Sequence, residues 1–296
     1  LELLPSIDGA ANTLDAYETQ TGRRVDAVIS FEIGGGNSLI PLVAGAVKGL
    51  PVIDGDGMGR AFPEAQMMSY AIAGVKPTPA IALDYAGNTA AFNCASTEVY
   101  ERHIRSFAMA AGGMITAAEH VMTGAELKAS VIPGTLSFSI ELGRVLRTKA
   151  APAPDILGAL QALFKPSIYG VCRLITSGKV VDKSTQIIGG YDVGEACIEP
   201  FAHPSENVLI NIKNEYLLAR SGDRVLASVP DLIVLTDYET CRPINAERLR
   251  YGQRVAVFAI GCPQFFRTEK ALRAVAPRAF GFDIDYVPLE DLPETI

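Results

Sequence analysis

The sequence predicts an α/β N-terminal domain with a parallel or mixed sheet, followed by a β-rich C-terminal domain that is a sandwich or an open barrel. Segments typical of helices and strands alternate up to about residue 150, as in layered α/β domains. From about residue 165, short strand-like segments separated by turn residues predominate. An Ala- and Pro-rich stretch at residues 150–154 separates the two patterns, and we place the domains at residues 1–155 and 156–296.

The first predicted elements form a β-loop-α-β unit. Residues 25–33 are mostly β-branched or apolar and predict a strand, which ends at three consecutive glycines. Asn37 is a suitable N-cap for a helix that runs through Lys48, and residues 50–53 predict a second strand. Such a unit predicts a right-handed parallel crossover.

The next predicted elements are two strands and two helices, at residues 79–83, 89–93, 97–122 and 133–147. Ser96 is the predicted N-cap of the longer helix. Gly112 and Gly113 lie in its middle and cost about 1 kcal/mol each relative to alanine, which indicates a close packing contact or a break there.

The second half predicts seven strands, at residues 168–176, 180–188, 191–198, 208–219, 225–229, 232–236 and 254–260. Ser177-Gly178-Lys179 predicts a hairpin turn between the first two strands. One helix is predicted near residues 268–275.

The composition favours a soluble, acidic, globular protein. Of 296 residues, 49% are hydrophobic and 20% are charged, and the net charge of −7 argues against a protein that binds nucleic acid through phosphate contacts. No segment approaches the roughly 20 apolar residues that cross a bilayer, and no signal-peptide pattern opens the sequence. We expect a cytoplasmic protein without membrane contacts. Five scattered cysteines without a C-x-x-C pair indicate neither a disulfide framework nor a zinc site.

The first candidate for chemistry is the segment EIGGGNS, whose predicted binding residues are Gly34, Gly35, Gly36, Asn37 and Ser38. A strand that ends in three glycines before a helix exposes backbone N–H groups to an anion, a carboxylate or a polarised carbonyl oxygen. The segment is neither the G-x-G-x-x-G fingerprint nor a Walker loop. The alternative is a tight turn in which glycine supplies positive φ angles.

The second candidate is the charged segment IDGDGMGRAFPE, with Asp54, Asp56, Arg60 and Glu64 as predicted catalytic residues. Ligands of open parallel sheets gather outside the carboxyl ends of the strands, so this segment and the glycine loop are predicted neighbours. Two close carboxylates hold a divalent cation or raise one pKa, which makes an acid–base pair. The sequence requires no cofactor and leaves the metal question open. The alternative is a solvated turn.

The remaining polar candidates are weaker. His120 is predicted to lie near the C-terminus of the long helix, where a cation interacts well with the helix dipole. The spacing of the three histidines supports neither a metal site nor a nucleophilic triad. Asn214 shares one strand face with Tyr216; it is a predicted substrate-binding residue, or part of a cross-strand network or an interdomain wall.

Five stretches, in order, resemble the S-methyl thiohydantoin desulfurase family: GGGNS, PVIDGDGMGRAFPE, IPGTLSFSIELGR, NEYLLA and SVPDLIVLTDYET. The resemblance spans essentially the whole chain and implies an α/β domain followed by a β-rich domain. It also implies hydrolysis at C2 of a thiohydantoin-type ring, with release of a thiol and formation of a hydantoin. Family members usually carry a further glycine-rich segment upstream of where this sequence begins.

The resemblance is compatible with roles that the residue pattern suggests. Asp54 or Asp56 would be the base that activates water, and the Gly34–Gly36 amides with Asn37 would stabilise developing charge. Arg60 would orient the ring. We expect a small-molecule substrate and a homo-oligomer. The alternatives are a non-catalytic subunit or ligand-binding partner of a hydantoinase, and a metal-dependent hydrolase of another substrate class.

Overall fold

A computed structural model describes residues 8–148 and 151–293. Contacts divide the chain into two compact units, the first ending at Ser137 and the second beginning at Phe138. The sequence-based division after residue 155 stays a prediction about which segments fold independently. Within the described ranges, no helix is both long and apolar enough to cross a membrane.

The first unit alternates helices with short strands. Its elements are α1 (Gly9–Thr21), α2 (Ile40–Lys48), β1 (Gly55–Asp56), α3 (Ser69–Ala73), β2 (Ala80–Asp84), β3 (Thr89–Phe92), α4 (Thr97–Ala110), β4 (Ile115–Ala118), α5 (Gly124–Ser130), β5 (Ile132–Pro133) and the start of α6 (Thr135–Thr148). The sheet order is β3-β2-β4, all antiparallel, and β1 pairs with β5. One apolar core joins α1, α2, β2 and β4.

The predicted parallel crossover is present only as a single parallel bridge between Val28 and Val52. The Val28 N–H donates to Pro51 O (3.0 Å) and the Ile53 N–H donates to Val28 O (2.9 Å). Beyond the bridge, the Ser30 hydroxyl hydrogen-bonds to the backbone carbonyls of Glu32 and Asn37. This local bonding competes with strand pairing, so the ladder does not extend to residue 33.

Two predicted helices have different bounds in the structure. The helix α2 begins at Ile40 rather than after Asn37, because the Asn37 side-chain amide donates to the Glu32 carboxylate instead of capping the helix. The long helix α4 has its predicted cap, with the Ser96 hydroxyl accepting from the Val99 N–H (3.3 Å). It ends at Ala110, because Gly112 and Gly113 adopt φ angles of 84° and 97°.

The second unit is built on one seven-stranded antiparallel sheet, which confirms the predicted β-rich half. Its elements are α7 (Ala153–Phe164), β6 (Cys172–Ile188), β7 (Tyr191–Pro200), β8 (Val208–Lys213), β9 (Glu215–Ser221), β10 (Arg224–Ser228), β11 (Leu232–Asp237), β12 (Arg254–Ile260) and α8 (Glu269–Val275). The strand order is β10-β9-β8-β7-β6-β12-β11. Since β11 also contacts β9 and β10, the sheet curls into a half-barrel around an apolar core.

One predicted turn and one predicted strand of this half were wrong. Ser177-Gly178-Lys179 continues the 17-residue strand β6, with Gly178 paired to both Pro200 and Val255. A Cβ atom at Gly178 would lie 2.2 Å from Glu199 O, so glycine permits close strand contact there and does not turn the chain. Conversely, the predicted strand 208–219 is a hairpin that turns at Asn214.

Candidate functional site

The centre of the candidate site is the carboxylate of Asp56, which is fully buried in the first unit. Its Oδ2 accepts three backbone hydrogen bonds, from the N–H groups of Ile33 (2.9 Å), Met58 (2.9 Å) and Gly59 (2.8 Å). Ile33 directly precedes the glycine loop. Asp56 therefore lies beside that loop, as the crossover argument predicts.

Burial dominates the electrostatics of Asp56. Loss of water raises the pKa of this carboxyl to about 6, although the backbone hydrogen bonds from Met58, Gly59 and Ile33 and the nearby Thr135 side chain oppose the rise. The Asp56 charge in turn contributes, after burial, to a raised pKa of the Tyr70 hydroxyl. A carboxyl group that titrates near pH 6 is suited to general acid–base catalysis near neutrality.

Asp54 has a different environment from Asp56, although the sequence predicts that they share one face. Asp54 is exposed, and its carboxylate accepts from the backbone N–H (3.0 Å) and the hydroxyl (2.7 Å) of Ser137, in the first turn of α6. Partial burial raises its pKa, but the bonds from Ser137 and Leu136 outweigh this effect and lower it. Asp54 thus stabilises the N-terminus of a helix.

The glycine loop leaves backbone donors accessible. Gly34 is half-buried, and Gly35 and Gly36 are exposed. Among the described residues, no hydrogen-bond acceptor takes the N–H groups of Gly35, Gly36 or Asn37, whereas the Ser38 N–H donates to Gly34 O (3.2 Å). These three N–H groups are therefore available to a ligand atom.

The fold gives no steric reason for glycine at residues 35 and 36. None of the three loop glycines has a positive φ angle, which is the conformation that the turn interpretation requires. A Cβ atom at Gly35 or Gly36 would meet nothing within 4 Å, while one at Gly34 would lie 3.0 Å from the Glu32 carboxylate. A ligand that approaches the backbone closely would account for glycine at these two open positions.

Gly57 brings the charged segment into contact with Phe31, which lies shortly before the glycine loop. Its N–H donates to Phe31 O (3.0 Å), and a Cβ atom there would lie 2.8 Å from both Phe31 O and the Tyr70 ring. The glycines of the charged segment thus include one that the packing requires. This contact keeps Asp56 beside Ile33.

Arg60 and Glu64 lie further along the same segment. Arg60 is buried; its Nε donates to Ala61 O (3.0 Å) and its guanidinium lies 4.7 Å from the centre of the Phe62 ring. Glu64 is half-buried and accepts a hydrogen bond from the Gln66 side chain, ahead of a 3₁₀ turn over Ala65–Met67. These contacts of Arg60 and Glu64 are with residues 61, 62 and 66 of the same part of the chain.

A carboxylate–guanidinium pair on α4, which sequence reasoning missed, anchors this segment. The Glu101 carboxylate accepts from the Ala65 N–H (2.9 Å) and from Arg105 Nε (2.8 Å), and Arg105 also donates to Pro63 O (2.9 Å). The i, i+4 spacing of Glu101 and Arg105 on a predicted helix was the available signal.

His120 was placed wrongly at the sequence level, because it lies after β4 and not in a helix. It is 2% exposed with φ 46°, and its ring centre lies 6.4 Å from those of Tyr70 and Tyr100. Among the described residues, neither ring nitrogen makes a hydrogen bond, and Nδ1 lies 3.4 Å from a Glu119 carboxylate oxygen. A buried histidine in a left-handed conformation marks a strained position next to Tyr70. The glycine pair Gly112-Gly113, which ends the helix, was the sequence signal that His120 lies beyond α4.

Asn214 belongs to the second unit, whereas the other predicted site residues belong to the first. It turns the hairpin between β8 and β9 with φ 57°. Its N–H donates to Asp192 O and its side-chain oxygen accepts from the Asp192 N–H, both at 2.8 Å. These contacts form the cross-strand network that was the alternative interpretation.

Within residues 8–148 and 151–293, no three His, Cys, Asp or Glu side chains are grouped to hold a metal ion.

Two family models match consecutive parts of the chain, and they meet at residue 94, which lies within the first compact unit. The family model "S-Me-THD-like, N-terminal domain" matches residues 1–94, and "S-Me-THD-like, C-terminal domain" matches residues 95–289. No curated protein matches the chain. A crystal structure of a protein from Chromobacterium violaceum, a structural genomics target, is 24% identical, with a TM-score of 0.76 over 96% of this chain and 78% of that chain.

At 24% identity, that structure is evidence for the fold alone. The two family models together span nearly the whole sequence, and they confirm the resemblance carried by the five sequence stretches. The chain belongs to the S-Me-THD-like family, that of the S-methyl thiohydantoin desulfurases.

Proposed function

We propose that the protein is a hydrolase that acts on an S-methyl thiohydantoin or a related five-membered cyclic amide, releasing a thiol and leaving a hydantoin. The observation that carries the proposal is the position of Asp56, a buried carboxyl with a pKa of about 6, hydrogen-bonded to the residue before the glycine loop. A base and a set of free N–H donors are the two parts that hydrolysis at a ring carbon needs.

In this proposal, Asp56 is the base and Asp54 is not. Asp56 accepts a proton from water while the water oxygen bonds to C2 of the ring. The C2–S bond then breaks, and the sulfur leaves as a thiol with the proton that Asp56 returns. The second proton of the water passes to the ring nitrogen, and C2 keeps the oxygen as the hydantoin carbonyl. The N–H groups of Gly35, Gly36 and Asn37 stabilise negative charge on the ring. Asp54 has a lowered pKa and binds the N-terminus of α6, so it is the poorer base.

The direct test is incubation of the purified chain with S-methyl thiohydantoins that differ in their ring substituent, with thiol release followed by a thiol-reactive dye. Turnover by the isolated chain supports the hydrolase. No turnover by the isolated chain, together with a stable complex with a hydantoinase, supports the non-catalytic alternative and overturns this proposal. The small-molecule substrate, the homo-oligomeric state and a reaction that requires no cofactor stay predictions.

The pH dependence of turnover follows from the protonation state of the base. Only the deprotonated Asp56 accepts a proton, so kcat/KM is expected to fall below pH 6, about tenfold per pH unit. The measurement is kcat/KM from pH 4 to 8. A value of kcat/KM that stays constant down to pH 4 would instead indicate a carboxyl such as Asp54, whose pKa is lowered.

A substitution in the glycine loop separates binding from stability. Gly36→Ala places a methyl group where no atom lies within 4 Å, so the free energy of unfolding is expected to change by less than about 0.5 kcal/mol. We expect kcat/KM to fall at least about tenfold, because the methyl group keeps the ring from the N–H donors. Gly124→Ala is the matched control, since its site in the same unit is equally open. Equal kcat/KM in both variants contradicts the role of the loop.

A further inference from the structure

The first unit carries a cysteine–histidine pair that the proposed function does not use. The Cys94 sulfur lies 3.7 Å from His103 Nδ1. Cys94 is half-buried and His103 is exposed, so the pair is accessible to solvent. Sequence spacing did not reveal it, because nine residues and the start of α4 separate the two side chains.

Two features of the fold hold the pair in place. Cys94 lies two residues before Ser96, the N-cap of the 14-residue helix α4, and its N–H donates to the Thr78 hydroxyl (3.3 Å). His103 lies within α4, whose side chains lean toward the N-terminus, in the direction of Cys94. Both features place His103 Nδ1 beside the Cys94 sulfur.

The Tyr100 hydroxyl, on the same helix as His103, is bonded to another residue. Tyr100, whose raised pKa has burial as its first cause and the Cys94 charge as a lesser one, donates its hydroxyl to the Glu119 carboxylate. Of the other four cysteines, Cys172, Cys241 and Cys262 are buried and Cys197 is half-buried. Cys197 has no histidine among its described contacts, and burial, followed by the charges of Asp182, Glu195 and Glu199, raises its pKa.

We propose that Cys94, with His103 as its base, is the reactive thiol of this chain and a site of modification by peroxides. The thiol proton passes to His103 Nδ1, and the sulfur attacks one peroxide oxygen. The O–O bond breaks, the released hydroxide takes the imidazolium proton to give water, and the sulfur is oxidised by two electrons to a sulfenic acid. The first unit contains no other cysteine, so a disulfide within that unit does not follow.

The test is hydrogen peroxide treatment of the full chain at pH 7 with dimedone, which labels sulfenic acids, followed by peptide mass spectrometry. We expect label at Cys94 at least about tenfold faster than at Cys197. His103→Gln is expected to slow labelling severalfold at pH 7. His203→Gln, which changes an exposed histidine of the second unit, is expected to leave the rate unchanged.

Alkylation by iodoacetamide gives a second readout that needs no oxidant. The difference between wild type and His103→Gln is expected at pH 7 and is expected to vanish above about pH 10, where thiols ionise without a base. Equal labelling of Cys94 and Cys197, or equal rates for wild type and His103→Gln at pH 7, overturns the proposal. These readouts do not involve thiohydantoin turnover, so the two proposals fail separately.

Discussion

Asp56→Asn is expected to reduce kcat/KM for thiohydantoin hydrolysis by about 10² to 10⁴ while leaving the protein at least as stable as the wild type at pH 8. The amide has the shape of the carboxyl group and keeps an oxygen that accepts the Ile33, Met58 and Gly59 N–H groups. It has no charge to bury and accepts no proton. The substitution therefore separates a catalytic role of Asp56 from a structural one.

The stability part of this prediction has a defined sign. The folded-state pKa of about 6 lies above the ordinary value of 3.8, so the folded protein holds this proton more tightly than the unfolded chain. The resulting stabilisation is complete below pH 3.8 and is lost as the pH rises through 6. The loss is about 3 kcal/mol, at 1.36 kcal/mol per pKa unit. Asp56→Asn lacks this loss, so it is expected to be up to about 3 kcal/mol more stable than wild type at pH 8.

The measurement is the free energy of unfolding in urea at pH 4, 6 and 8, for wild type and variant. The difference between the two proteins is used at each pH, because it removes the titration of the other carboxyl groups. Asp54→Asn is the matched control. It weakens the bonds to Ser137 at the start of α6, and it is expected to cost about 1 kcal/mol without a large change in kcat/KM. A large loss of turnover in Asp54→Asn but not in Asp56→Asn reverses the assignment of the base.

The sequence correctly predicted that Asp56 lies beside the glycine loop, because both follow segments that meet at the Val28–Val52 bridge. It did not separate Asp54 from Asp56. The strand rule that puts residues i and i+2 on one face needs a strand, and only Gly55 and Asp56 pair with β5. The partner of Asp54 is 83 residues away in the chain, a long-range contact that no local pattern reports.

The β-rich half shows the same distinction between local patterns, which the sequence reveals, and long-range contacts, which it does not. Its strands were predictable because alternation and turn residues are local, but their pairing was not. Ser177-Gly178-Lys179 has turn composition, yet Gly178 is a glycine because a Cβ atom there would lie 2.2 Å from Glu199 O of strand β7. Asn214 is the reverse case, because this one residue in a left-handed conformation turns the chain within a predicted strand. A glycine or asparagine needs its tertiary neighbours before its role is known.

Asp231→Ala is expected to destabilise the second unit by about 3 to 5 kcal/mol, the largest stability effect that we predict. Asp231 is fully buried at the start of β11, where its oxygens accept from the Cys262 N–H (2.8 Å), the Tyr286 hydroxyl (2.9 Å) and the Leu289 N–H (2.8 Å). Arg267 lies 3.7 Å from the same carboxylate. Alanine leaves these buried donors without their acceptor.

The pKa of Asp231 shows that burial alone disfavours its charge. Burial raises the pKa, and the hydrogen bonds from Cys262 and Tyr286 with the charge of Arg267 only partly oppose the rise. The carboxylate is costly in isolation, but it satisfies donors from segments far apart in the chain, so removing it costs more than its own burial. The measurement is the urea midpoint at pH 7, with Asp223→Ala in the exposed turn after β9 as the control. That control is expected to change the free energy of unfolding by less than about 0.5 kcal/mol. An equally small effect for Asp231→Ala would show that the C-terminal segment is held without this carboxylate.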